Sequence, residues 1–298
     1  MQYPDYPSES SCYTSINNKR MHYLEGGKNN AETIIMLHGN PSWSFYYRHL
    51  FNALINKYHC VVPDHIGMGL SDKPDKNGYE FTLEQRVDDL DELLTSLEID
   101  NKLTLIVHDW GGMIGMAYAT RYPEKIKRLV ISNTAGFHIP KDIQIPWQLK
   151  LSRTPVLGSL LNQGFNAFCR GAVTQCVTRK PMTEAIKNAY LAPYDNWKNR
   201  LSVLRFVEDI PLDEDHVSYD IVDQVDKNLK QFSAIPVLVC WGVYDFVFDR
   251  HYLNEWKKRL PNAEYHEFDA GHYLLEDAAD EVIPIIQSFL EKNAEVQT

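Results

Sequence analysis

LTLIVHDWGGMIG, residues 103–115, changes character in its middle: an apolar run stops at His108-Asp109-Trp110-Gly111-Gly112, and small and apolar residues then resume at helical spacing. Leu103–Val107 has no polar alternation, which suits a strand covered on both faces inside a parallel sheet. Gly111 and Gly112 allow a helix to start pressed against that strand. The stretch therefore predicts strand, tight turn and helix, with Asp109 at the apex in the manner of a nucleophile elbow. Taken alone, an Asp at this point reads as a helix N-cap. The rest of the chain decides between the two.

Upstream, Thr33–Leu37 is a short apolar strand that runs into His38-Gly39-Asn40-Pro41. Gly39 permits close backbone approach and Pro41 ends the pairing, so Asn40 is expected beside Asp109 with its side-chain amide available to a developing negative charge. Asn is also ordinary turn chemistry in such a loop. His59–Pro63 is a further strand, and the Gly67-x-Gly69 that follows lacks the third Gly and the helix that a dinucleotide fingerprint requires, so it is a turn. Thr82-Leu83-Glu84-Gln85 has the form of a capping box, and Val87, Leu90, Leu93, Leu94 and Leu97 recur at helical spacing, which predicts a crossover helix. Tyr13–Leu24 alternates loosely and reads as an antiparallel edge hairpin.

Downstream, Ile126–Ser132 is another buried strand. From residue 137 to 231 the alternation of strand and helix stops, and prolines punctuate a stretch rich in aromatic and long apolar residues. It reads as a helical cap inserted into the core, roofing Asp109 with an apolar pocket suited to a lipophilic small-molecule substrate. Trp147, Phe165, Phe168, Tyr190 and Tyr194 are the candidates for its lining. The expected organisation is a first core segment over 1–136, the cap over 137–231 and a second core segment over 232–298. In that last segment the strand ending at Trp241 leads to Asp245, and the strand 264–268 leads to Ala270-Gly271-His272 and a closing helix over 278–290. Nucleophile, acid and histidine thus follow in chain order Asp109, Asp245, His272. Asp249 stands where the next helix should begin and reads as its N-cap.

Composition narrows the function. With 298 residues, 44% of them hydrophobic, the chain can bury one large α/β core. Its 30 Lys and Arg against 40 Asp and Glu offer no footprint for nucleic acid. No stretch approaches the roughly 18 apolar residues of a membrane span, and the first residues lack a signal-peptide pattern, so a cytoplasmic setting is expected. The five cysteines are scattered without a C-x-x-C pair and read as packing thiols, and no residue pattern calls for a metal or a cofactor.

Through His38-Gly39-Asn40-Pro41, His108-Asp109-Trp110-Gly111-Gly112, Trp241-Gly-x-x-Asp245 and Ala270-Gly271-His272, the chain resembles the haloalkane-dehalogenase-like branch of the α/β-hydrolases over nearly its whole length. That resemblance implies an α/β-hydrolase fold, a mostly parallel central sheet flanked by helices with an inserted helical cap. Within the branch the chain resembles the β-lactone decarboxylases of bacterial long-chain olefin synthesis, through Asn40–His49, Pro63–Pro74, Pro193–Arg200 and Arg205–Leu212. The last two stretches lie in the cap, where substrate identity is carried. The resemblance implies conversion of cis-3,4-dialkyl β-lactones to cis-alkenes and CO2, and association with other enzymes of olefin biosynthesis.

The chemistry suits the residue types. Asp109 can attack a saturated carbon without prior loss of a proton, attack at the lactone carbonyl to give an anhydride being the alternative, and on either route the developing anion needs donors, which the Trp110 indole and the Asn40 amide would supply. In a dehalogenase those donors hold halide, and His272, oriented by Asp245, activates water. A dehalogenase remains the first alternative. An epoxide hydrolase, with Tyr190, Tyr194 or Tyr219 as ring-oxygen donors, and a ligand receptor that has lost catalysis are lesser ones. Where some relatives place a Glu after the strand ending near Ser132, this chain has Asn133, which cannot supply the negative charge that the histidine needs.

Overall fold

A computed structural model describes residues 3–140, 143 and 147–294. The hairpin β1 (Ser11–Ile16) and β2 (Lys19–Gly26) leads to β3 (Thr33–Leu37), α1 (Arg48–Leu54), β4 (His59–Pro63), α2 (Leu83–Ser96), β5 (Leu103–His108), α3 (Trp110–Arg121) and β6 (Ile126–Ser132). Helices follow: α4 (Trp147–Ser152), α5 (Leu157–Ser159) running into a π turn at Leu160–Gly164, α6 (Ala167–Gln175), α7 (Glu184–Leu191), α8 (Leu201–Glu208) and α9 (Tyr219–Asn228). The sheet resumes with β7 (Val237–Gly242), α10 (Arg250–Arg259) and β8 (Glu264–Phe268), then α11 (Leu274–Asp277) and α12 (Ala279–Lys292).

The eight strands form one sheet in the order β1-β2-β4-β3-β5-β6-β7-β8. The hairpin joins antiparallel, through β2 against β4, and the other pairings are parallel. Strands β3, β4, β5 and β7 are buried along their whole length, as apolar runs without alternation require. One apolar cluster, including Leu105, Val107, Ile114 and Trp256, fills one side of the sheet, and a second, including Ile106, Cys240, Leu274 and Phe289, fills the other. Parallel strands align their C-terminal ends along one edge, and the loops after β3, β5, β7 and β8 meet there.

Local signals act with some changes. Thr82 caps α2 by accepting the Gln85 backbone N–H at 3.3 Å, but the Gln85 side chain turns to Asp89 at 3.0 Å instead of closing the box. Asp249 caps α10 through the His251 N–H at 2.9 Å. The closing helix is split into α11 and α12, and α12 starts at Ala279.

Candidate active site

At the end of β5 the chain turns sharply, with Asp109 at φ 51° and ψ −129°. A non-glycine residue in this region is strained, and only surroundings that fix it on several sides maintain it. Here the Thr134 hydroxyl donates to the Asp109 carbonyl at 2.5 Å, and the Asp109 N–H donates to the Asn133 carbonyl at 3.1 Å. The Asp109 side chain makes no cap bond to α3, so it is not spent on ending the helix. Close approach explains two glycines. A Cβ on Gly111 would lie 2.0 Å from the Leu37 carbonyl oxygen, and one on Gly39 would lie 2.0 Å from Asp109 Oδ1.

The carboxylate of Asp109 is held asymmetrically. Its Oδ1 accepts the Asn40 backbone N–H at 2.6 Å, while its Oδ2 lies 3.5 Å from His272 Nε2. Burial pushes the Asp109 carboxyl above its ordinary value, against the pull of His272 and of the Asn40 and Trp110 backbone N–H groups. His272 Nδ1 bonds Asp245 Oδ2 at 2.7 Å. Burial alone would push the imidazole down, but Asp245 and Asp109 outweigh it, and His272 titrates above its ordinary value. Asp245 is fixed on both oxygens: Oδ1 accepts the Val247 and Phe248 N–H groups at 2.7 and 3.1 Å, and Oδ2 also accepts Asn133 Nδ2 at 2.9 Å.

Asn40 and Trp110 both reach the cavity above Asp109. Their contributions differ from the expected pair of side-chain donors. Asn40 Nδ2 donates to the Val203 carbonyl on α8 at 3.1 Å, so one amide hydrogen is committed and one remains, and its backbone N–H makes the contact with Asp109. The Trp110 ring packs on Phe206 with centroids 5.3 Å apart, and its indole N–H has no hydrogen-bond partner among the described residues.

The cavity encloses about 330 Å³ and is lined mostly by apolar side chains of the segment between β6 and β7, among them Leu149, Leu161, Phe168, Val207 and Val222. Trp147 and Phe168, of the five aromatic residues expected there, do line it. The other three must be corrected. Phe165 is 63% exposed and outside the lining. Tyr190 faces the core behind the site, donating to Glu276 Oε1 at 2.6 Å, with its ring 5.2 Å from Tyr273. Tyr194 ties two loops together, donating to the Ser42 carbonyl at 3.2 Å and accepting the Gly69 N–H at 3.4 Å.

Several contributors carry no sequence signal of their own. Asn133, set aside as an acid, braces Asp245 and also bonds Gly242 through both its amide atoms, at 3.0 and 2.8 Å. His108, the residue before the apex, bonds the His272 carbonyl through Nε2 at 2.8 Å, and burial and the nearby His272 keep it neutral. Phe248 stacks on the His272 ring. Among the described residues no group of three or more His, Cys, Asp or Glu could hold a metal, and no helix is long and apolar enough to cross a membrane.

Comparison with known proteins adds four likenesses. Residues 32–279 match the family model described as alpha/beta hydrolase fold. A cis-3-alkyl-4-alkyloxetan-2-one decarboxylase of Shewanella oneidensis is 51% identical over 96% of this chain and 90% of its own length. One of the same name from Xanthomonas campestris is 45% identical over 98% of this chain and 99% of its own. Among solved structures, haloalkane dehalogenase DbeA from Bradyrhizobium elkani superposes with a TM-score of 0.84 at 24% identity, covering 95% of this chain and 98% of that one, which speaks for the fold.

Proposed function

The chain belongs to the alpha/beta hydrolase fold family, and we propose that within it the protein is a β-lactone decarboxylase, converting cis-3-alkyl-4-alkyloxetan-2-ones to cis-alkenes and CO2. The likeness to two decarboxylases over almost the full chain carries the proposal. The geometry supports it with a carboxylate nucleophile beneath an apolar cavity.

Asp109 Oδ1 is fixed by the Asn40 N–H, so Oδ2 is the attacking atom. Its lone pair forms a bond to the ring carbon that bears the lactone oxygen, with inversion, and the carbon–oxygen bond breaks to give a carboxylate. The Trp110 indole N–H and the remaining Asn40 amide hydrogen receive that new anion at the floor of an apolar cavity, where such donors act more strongly than in water. The carbon–carbon bond to the carboxylate then breaks. Its electrons form the alkene, CO2 departs anti to the Asp109 ester, and the ester bond returns its electron pair to Asp109. Inversion followed by anti elimination turns a cis lactone into a cis alkene. No water and no proton enter the balance, so His272 serves as a charge beside Asp109 and Asp245 holds it in place.

A cis-dialkyl β-lactone and a 1-bromoalkane assayed side by side test the proposal. Cis-alkene and CO2 from the lactone with little halide release are expected. Rapid bromide release without consumption of the lactone would make the protein a haloalkane dehalogenase. A cytoplasmic setting and association with other enzymes of olefin formation belong to the same proposal, and fractionation and co-purification test them.

A further inference from the structure

Across residues 143–183 the chain has five basic residues and no acidic one, although as a whole it carries 30 basic and 40 acidic. Two of the five are engaged, Arg153 with the Val207 and Ile210 carbonyls and Arg179 with Glu281. Lys150 and Arg170 are exposed and without an ion-pair partner among the described residues, as is Lys198 on the adjoining loop. The same region exposes large apolar side chains: Val156 at 83%, Phe165 at 63%, Trp197 at 49%, Leu160 at 46% and Leu157 at 42%.

Leu157, Leu160 and Trp197 lie close together on this surface. Leu157 and Leu160 are one helical turn apart, and the Gly164 backbone sits between Leu160 and Trp197, since a Cβ there would lie 3.3 Å from the first and 3.5 Å from the second. Arg200 locks the segment in place by donating to the Gln163, Gly164 and Tyr194 carbonyls at 2.6, 3.1 and 2.7 Å. Val156 adds a local misfit. It is β-branched, it holds φ at 64°, and folding gains nothing from burying it. The surface also adjoins the cavity: Leu161 lines it from the π turn that leaves Leu160 exposed, Phe168 lines it three residues after the exposed Phe165, and Trp147 lines it while 69% exposed.

We propose that this face docks the protein on an anionic lipid surface, with Leu157, Leu160, Phe165 and Trp197 entering the interface and Lys150, Arg170 and Lys198 meeting the headgroups. Exposed aliphatic and Trp side chains with a cationic rim are the composition that binds such interfaces. Like charges oppose the pairing of this face with its own copy about a two-fold axis, because each rim would meet the other. The placement puts the cavity mouth toward the phase in which a molecule with two alkyl chains resides. The proposal itself rests on the surface and not on the lactone chemistry.

Co-sedimentation with vesicles of phosphatidylcholine mixed with phosphatidylglycerol tests it. The protein should sediment with the mixed vesicles, release as salt is raised, and stay in solution with phosphatidylcholine alone. Leu157→Glu with Leu160→Glu should abolish sedimentation. Lys150→Glu with Arg170→Glu should weaken it by at least 20-fold, on the order of fivefold for each lost cation. Both pairs should keep wild-type circular dichroism and wild-type turnover of a short-chain, water-soluble substrate. No sedimentation of wild type with the mixed vesicles, or sedimentation unaltered by either pair, would overturn the proposal. So would a wild-type oligomer that binds no vesicles and that Leu157→Glu with Leu160→Glu disperses, since the face would then be a protein contact.

Discussion

Replacing His272 by Gln separates a water-free reaction from a hydrolysis. The new side chain keeps a polar group near Asp245 and removes the charge that faces Asp109 Oδ2 at 3.5 Å. Unit charges at that distance attract by about 5 kcal/mol at an effective dielectric constant near 20. In the decarboxylation this attraction acts in opposite senses on the two steps. It holds back Asp109 as it attacks, and it draws negative charge back to Asp109 as the ester departs. Whichever step limits turnover feels only part of that attraction, and the first step gains from its removal, so His272→Gln should lower turnover by less than about 100-fold, or 2.7 kcal/mol. Alkene by gas chromatography and CO2 release measure it, while intact-mass spectrometry reports the enzyme's state. A general base toward water contributes about 10²–10⁴-fold, and without it a covalent alkyl-enzyme accumulates. Stoichiometric substrate adduct on Asp109 together with a loss beyond about 10⁴-fold would refute the water-free route.

Asp109→Ala should reduce turnover by roughly 10⁴-fold or more in a folded protein, checked by activity and circular dichroism. Burial raises the Asp109 pKa, so turnover should fall as pH drops through a value above that of an ordinary carboxylate. Because the folded state holds that proton more tightly than the unfolded chain, stability linked to Asp109 is full below the unfolded pKa and is lost as pH rises through the folded one. Asp109→Asn should accordingly melt above wild type at neutral pH, as calorimetry would show. Asp245→Asn should lower the His272 pKa, read by NMR, and cost activity about 10- to 100-fold, since the histidine moves no proton. Asp249→Ala should leave activity near wild type and remove about 1 kcal/mol of stability, the worth of an N-cap. Asn133→Leu deletes three buried hydrogen bonds, one to a carboxylate, and should destabilise the protein by roughly 3–5 kcal/mol in urea unfolding.

What could be read from the sequence was what depends on a short stretch of chain. The elbow was legible because a five-residue run with four apolar side chains, an Asp and two Gly specify strand, apex and close approach within a dozen positions. Asp245 and His272 were legible because each ends a strand on the same edge of the sheet. The pocket lining was less so. Tyr190 and Phe168 are both cap aromatics, and nothing in residue type says that α7 turns Tyr190 toward Glu276 while α6 turns Phe168 into the cavity. That choice belongs to the packing of whole helices. Asn133 was hidden for another reason: it works by bonding partners more than 100 positions away, Gly242 and Asp245, which only the pairing of β6 with β7 brings to it.

That pairing has a further meaning. Val237, where β7 begins, is the register partner of Leu129, three residues before β6 ends at Ser132, so the chain leaves the sheet and returns to it on the adjacent parallel strand roughly 11 Å away. The block over 135–236 can be lengthened, shortened or exchanged without moving either strand, because its two ends need only bridge a fixed, short span, while Asn133 and Thr134 stay with β6 to brace Asp245 and Asp109. Asp109 precedes the break, whereas Asp245 and His272 follow it. A lineage could thus inherit its reaction centre intact and renegotiate its choice of molecule by rewriting one contiguous block of sequence, and a chimera joined at Thr134 and Val237 would carry out that experiment in a single step.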